Sequence, residues 1–134
     1  MKKIAKSIKI KSYRIIKNKK GNIIKFLDKK NNLFLGFGEI YFSKIKKNQT
    51  KGWNYHKKNT CTIVVPIGQV LFKIFNSRKK KLFQISIGKK NNKIIQIPPG
   101  YWFSFRSQTK NSLVANLMNK VHSKNETDKK NIIN

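Results

Sequence analysis

Apolar residues recur at every second position along most of this chain. Between positions 33 and 45, Leu33, Leu35, Phe37 and Tyr41 share one parity while Phe34, Ile40 and Phe42 share the other, with Gly36 and Gly38 between them. A period of two is the mark of a strand, and apolar character on both faces predicts a central strand with bulges at its glycines. The same pattern predicts strands at 13–17, 23–27, 61–65, 69–75, 82–87, 94–97, 101–106 and 113–118. Turn formers separate them, among them Lys20-Gly21-Asn22, Pro66-Ile67-Gly68, Asn76-Ser77-Arg78 and Pro98-Pro99-Gly100. No segment longer than about ten residues carries a helical stripe. The expectation is an all-β chain, a β-sandwich or jelly roll, in which two sheets cover each other's apolar faces. Residues 1–118 form its one domain, and the polar, aperiodic stretch 119–134 reads as a C-terminal tail, exposed or frayed.

Length and composition narrow this further. A chain of 134 residues with 38% hydrophobic and 11% aromatic content can build one core and no more. Its longest apolar run, Ile63-Val64-Val65-Pro66-Ile67, falls far short of the ~18 residues a membrane helix needs. Lysines interrupt the opening segment every few residues, so it lacks the apolar centre of a secretory signal. A lone Cys61, with no Cys-x-x-Cys and no Cys/His cluster, fits a reducing, cytoplasmic setting without structural zinc.

The formal charge is +28, from 32 basic and 4 acidic residues. Such a surface attracts phosphates by counterion release, the footprint of a nucleic-acid or anionic-membrane partner. Composition bias explains it as well, because Lys, Asn and Ile, all read from A/T-rich codons, make up 64 of the 134 residues. The only arginines are Arg14, Arg78 and Arg106, and lysines lie in every segment rather than in one basic arm, which favours bias over a nucleic-acid site.

Five segments, taken in order, point to a family. They are Gly38-Glu39-Ile40-Tyr41-Phe42-Ser43, Lys51-Gly52-Trp53-Asn54-Tyr55-His56, Val65-Pro66-Ile67-Gly68, Asn76-Ser77-Arg78, and Ile97-Pro98-Pro99-Gly100-Tyr101-Trp102-Phe103-Ser104-Phe105. Over roughly residues 12–128 the chain resembles the dTDP-4-dehydrorhamnose 3,5-epimerase family, and most of all a short subgroup with a Lys-Gly-Trp-His-x-His-Lys segment. The resemblance implies a cupin-type jelly roll, a homodimer, a nucleotide-sugar ligand and no cofactor.

Epimerisation beside a ketone requires a base for a weakly acidic C–H, a donor for the enolate oxygen and a proton from the opposite face. The position matching the family's base is Asn54, and an amide cannot abstract a proton. Lys51 stands where the family has Arg, Asn76 and Arg78 match an Asp-x-Arg turn, and Phe103 matches a second histidine. An oxyanion lysine falls near Cys61. The acid tyrosine of a late strand has no counterpart near 115–120, and the acidic partner of the base is expected to be missing with the shortened tail. His56 offers a substitute. Two residues from Asn54 on one strand, it shares Asn54's face about 7 Å further along, and an imidazole titrates in the range that proton transfer at neutral pH needs. The alternative for His56 is a ring hydrogen-bonded at the cavity mouth or a simple ligand contact. His122, in the tail, has no assigned role.

A cupin metal site needs His-x-His, Glu and a later His. Asn54, His56, Cys61 or Thr60, and Phe103 fall at those positions, so no metal is expected. Cys61 reads as a small buried strand residue rather than a nucleophile. Trp53, Trp102 and Phe103, with Tyr41 and Tyr55, are candidates to stack on a sugar or thymine ring, and Lys51, Arg78 and Arg106 to meet a diphosphate, although most of the 15 aromatics belong in the core. Glu39, one of four acids, is either a site residue or half of a lysine salt bridge.

Two function classes follow. One is an isomerase acting on a nucleotide-linked 4-keto-6-deoxy sugar for surface polysaccharide, with His56 as base. The other is a binding protein of the same shape that holds a nucleotide sugar, or a partner enzyme, without turnover. A basic nucleic-acid binder stands third.

Overall fold

A computed structural model describes residues 7–130. Its strands are β1 (Lys9–Ser12), β2 (Arg14–Ile16), β3 (Ile23–Lys25), β4 (Glu39–Lys46), β5 (Thr50–His56), β6 (Cys61–Ile67), β7 (Gln69–Asn76), β8 (Lys81–Gly88), β9 (Lys93–Ile97), β10 (Trp102–Ser107), β11 (Asn111–Met118) and β12 (Thr127–Lys129). Two five-stranded antiparallel sheets, ordered β1-β9-β6-β11-β4 and β12-β5-β10-β7-β8, face each other, and β2 and β3 form a separate ribbon. The chain steps from one sheet to the other at almost every connection after β4, which is the cupin-type jelly roll. Among the described residues no helix is long and apolar enough to cross a membrane.

Alternation decides what lies between the sheets. Cys61, Ile63 and Val65 of β6, Val70, Phe72 and Ile74 of β7, Ile95 and Ile97 of β9, Phe103 and Phe105 of β10, and Val114 and Met118 of β11 all turn inward. Phe72 and Phe105 meet with ring centroids 5.4 Å apart at the centre of this core. Burying each large apolar side chain there contributes about 1.5–3 kcal/mol.

Three expectations change. The strand expected over 33–45 begins only at Glu39; residues 26–38 form a turn-rich loop over the outside of the first sheet. Leu33, 1% exposed, packs there, and the buried Gln96 side chain donates to its carbonyl (2.7 Å) and to Thr62 Oγ1 (2.9 Å). Apolar residues of both parities in this stretch therefore reflect a loop packed on a sheet, and Gly36, at φ +113°, takes a turn that other residues rarely adopt. A strand absent from the periodicity, β5, lies in the second sheet between β12 and β10.

The third change concerns the tail, whose described residues, 119–130, are tied to the second sheet. Its strand β12 pairs with β5 in the register Thr127↔His56, Asp128↔Tyr55 and Lys129↔Asn54. Reciprocal backbone bonds of 3.1 Å between Trp53 and Lys130, and a 2.8 Å bond from Lys57 N–H to Glu126 C=O, extend that pairing. Short polar strands lack a hydrophobic signature, and here the backbone ladder and one buried carboxylate supply the adhesion.

Candidate functional site

Between the sheets, on the side where β4 faces β5 and β12, lies a cavity of about 280 Å³. Its inner wall is apolar, made by Ile63, Phe103, Phe105 and Val114, and its polar wall comes from Tyr41, Ser43, Lys51, Asn54, Asn116 and Lys129. That volume is slightly below the ~300 Å³ at which pockets begin to enclose drug-sized ligands, and suits one sugar-sized group.

A bulge in β5 brings Lys51 and Asn54 to the same cavity. Simple alternation would put residues three apart on opposite faces. Along β10 the register runs Phe103↔Asn54 and then Ser104↔Gly52, so Trp53 is the extra residue. Upstream of it Lys51 opposes Phe105, and both Lys51 and Asn54 fall beside inward-facing phenylalanines. Gly52 is required there. Its φ is +110°, and a Cβ would stand 2.7 Å from the carbonyl oxygen of Phe103 and 2.8 Å from Ser104 Cα. Lys51 Nζ donates to Ser43 Oγ at 2.8 Å, tying the two sheets across the cavity.

On the facing sheet, Asn116 Nδ2 donates to the Tyr41 hydroxyl oxygen at 3.0 Å, which leaves the phenol's own proton free to be donated. Burial raises the Tyr41 pKa above its ordinary value, with Cys61 and Glu39 adding to the rise against the hydrogen bond from Asn116. Tyr41 is therefore a protonated donor at neutral pH. The Cys61 thiol, 1% exposed, is pushed up to about 12 by burial, opposed by an Asn116 hydrogen bond and reinforced by Glu126. A thiol so held is no nucleophile.

His56 lies inside the fold at 6% exposed, stacked on Phe103 at 6.0 Å between ring centroids. Phe103 borders both the cavity and the imidazole, whereas His56 is not itself part of the cavity wall. Its Nδ1 lies 2.7 Å from Glu126 Oε1. A carboxylate can only accept, so Nδ1 carries a proton, and whenever the ring is neutral its lone pair lies on Nε2. The tail, expected to supply no carboxylate, thus provides Glu126 as the partner of His56. The same Oε1 also accepts from Asn59 Nδ2 (3.2 Å) and Thr127 Oγ1 (3.0 Å), while Oε2 accepts the backbone N–H of Lys58 (3.0 Å) and of Asn59 (3.1 Å). Burial alone would raise the pKa of this carboxyl; the bonds from His56, Lys58 and Asn59 and the His56 charge overcome it and bring the value down to about 2.

The remaining candidates lie elsewhere. Trp53 and Trp102 are 5% and 8% exposed and do not border the cavity. Trp102 packs with Tyr55 at 5.1 Å, and Lys130 Nζ stands 5.0 Å over its ring. Arg78 is exposed in the β7–β8 turn. Arg106 is exposed on β10. Glu39, at the start of β4, accepts the backbone N–H of His122 at 3.0 Å instead of a lysine. Of the sequence candidates, then, Lys51, Asn54, Phe103 and Tyr41 converge. Ser43, Asn116 and Lys129 join them unforeseen; Glu126, which pairs with His56 outside the cavity wall, was also missed, although it could have been noticed as one of only four acids. Among the described residues no three of His, Cys, Asp and Glu gather as metal ligands.

Residues 16–130 match the profile of the polysaccharide biosynthesis C-terminal domain. The chain belongs to that family. No curated protein sequence matches it. Among solved structures, this polysaccharide biosynthesis domain superposes on a dTDP sugar isomerase from Desulfovibrio desulfuricans G20 with a TM-score of 0.90 at 27% identity, over 94% of this chain and 85% of the other. A mutant of the 3,4-ketoisomerase QdtA from Thermoanaerobacterium thermosaccharolyticum, in complex with TDP-4-keto-6-deoxyglucose, gives 0.79 at 17% identity, covering 93% and 88%. The dTDP-4-dehydrorhamnose 3,5-epimerase of Sulfolobus tokodaii gives 0.81 at 18%, covering 93% and 77%. The fold of the domain is that of the nucleotide-sugar epimerases and isomerases.

Proposed function

We propose that this protein binds a nucleotide-linked 4-keto-6-deoxy sugar and exchanges a proton at a carbon beside its ketone, as an isomerase of surface polysaccharide synthesis. The observation that carries this reading is the inward-facing His56–Glu126 pair behind a sugar-sized polar cavity, in a fold shared with a dTDP sugar isomerase. His56 Nε2 is the base, with Glu126 fixing the tautomer; it meets the sugar when Phe103, which borders both the imidazole and the cavity, swings aside on binding. Lys51 and Lys129 draw the diphosphate to the rim, Asn54 contacts the sugar, and Tyr41, oriented by Asn116, donates to a substrate oxygen. Arg78, Glu39, Trp53 and Trp102 take part only if ligand binding rearranges the mouth.

Incubation with TDP-4-keto-6-deoxyglucose in heavy water tests the reading. Deuterium entering beside the ketone, read by NMR, is the expected result. Binding without exchange would instead establish the non-catalytic alternative, which Asn54 at the family's base position favours, and absence of both would end the sugar-nucleotide assignment.

The setting we propose is cytoplasmic and the assembly a homodimer. Ile40 and Phe42, 43% and 63% exposed, stand on the outer face of the edge strand β4, with Phe37, 66% exposed, in the loop just before it, an apolar surface suited to a second copy. Sedimentation should return a dimer for the natural chain and a monomer for Phe42→Asp. A monomer in both cases would refute it.

A further inference from the structure

We propose that the β7–β8 hairpin docks this protein onto an anionic lipid bilayer. Residues Arg78, Lys79, Lys80 and Lys81 are consecutive and all exposed at the turn. Immediately after them Leu82 and Phe83 are 44% and 38% exposed. Leu82 opposes Phe75 and Phe83 opposes Ile74 across the hairpin, so the two apolar side chains stand on opposite faces of its end, behind four cations. Long lysine and arginine stems bend back toward the headgroups, so the hairpin end can enter with Leu82 and Phe83 beneath them, the two-part arrangement of interfacial anchors in which charge recruits and a few apolar side chains insert.

Residues 40–125 contain no Asp or Glu at all. Within the hairpin's own sheet the carboxylate is Asp128 on β12, which the order β12-β5-β10-β7-β8 places at the opposite edge, where it lies 3.6 Å from Lys57 Nζ. Glu126 is buried against His56. Nothing acidic on β7, β8 or β10 therefore offsets the four cations. Protection of an unpaired sheet edge is the ordinary use of lysines on an outer strand such as β8. Here, however, only Lys81 lies within β8, the other three cations crowd the turn, and the exposed Leu82 and Phe83 would defeat such protection. Exposed apolar side chains also favour lipid over nucleic acid, since a phosphate backbone offers them nothing to enter.

Co-sedimentation of the full chain with phosphatidylcholine vesicles, with and without phosphatidylglycerol, tests the proposal. Binding is expected only with the anionic lipid. Each lysine near such a surface is worth about fivefold in affinity, so Lys79→Gln/Lys80→Gln/Lys81→Gln should weaken it about 100-fold. Removing the same charge from the β2–β3 turn, as Lys17→Gln/Lys19→Gln/Lys20→Gln, should cost far less. Leu82→Ser/Phe83→Ser should leave binding that vanishes in high salt, where the natural protein retains a part. Equal losses in the two lysine variants would overturn the proposal in favour of a uniform charge effect. So would an unchanged Leu82/Phe83 variant, or random duplex DNA bound more tightly than the anionic vesicles through the same hairpin. All these residues are exposed, and an unchanged melting transition verifies the fold.

Discussion

His56→Gln is expected to lower deuterium incorporation into a TDP-4-keto sugar by roughly 10²–10⁴-fold, the usual contribution of a positioned general base. Glutamine has nearly the reach of histidine, and its amide N–H can still meet Glu126, so the site stays assembled while the lone pair that accepts the proton disappears. Affinity for TDP, measured by calorimetry, should barely move, because His56 stands behind Phe103 and the nucleotide would lie along the rim at Lys51 and Lys129. Equal exchange by the variant and the natural protein would remove His56 from the chemistry and leave Tyr41 as the nearest group able to move a proton.

The second large effect is on stability, and its pH dependence is the informative part. In Glu126→Gln one oxygen becomes an NH₂. Whichever way that amide turns, it faces donors: His56, Asn59 Nδ2 and Thr127 on one side, or the backbone N–H groups of Lys58 and Asn59 on the other. Donors left facing donors in a buried site cost about 1–3 kcal/mol, and we expect about 2 kcal/mol by urea unfolding at pH 7. The sign with pH follows from the carboxyl itself. Its pKa is about 2 when folded against 4.5 ordinarily, so the stabilisation is complete above about pH 4.5 and is lost as the pH falls toward 2. The gap between variant and natural protein should narrow over that window. A gap of constant size from pH 7 to pH 3 would mean that shape, not the ionised carboxylate, holds the tail.

Much of the fold could be read from alternation because its central strands are apolar on their inner face and bounded by turn residues. The strands at 61–65, 69–75, 82–87, 94–97, 101–106 and 113–118 reappear as β6 to β11 with ends shifted by a residue or two. What escaped has physical causes. In β5 the bulge at Trp53 breaks the two-residue period, and a cavity-facing strand presents Lys51 and Asn54 where a core strand would present aliphatics. The loop before β4 imitates a strand because it packs on a sheet. Glu126 sits in a polar stretch, and its burial depends on partners from residues 56–59, nearly seventy positions away. Local pattern reports which face of an element is wet, not which distant carboxylate closes it.

Cys61 gives the chain a native reporter of its own breathing. The thiol is walled in between the sheets and holds its proton well past neutrality, so an alkylating reagent reaches a reactive sulfur only when the layers part. With a single cysteine in the sequence, the speed of labelling counts those partings directly, and a ligand lodged between the layers would slow it.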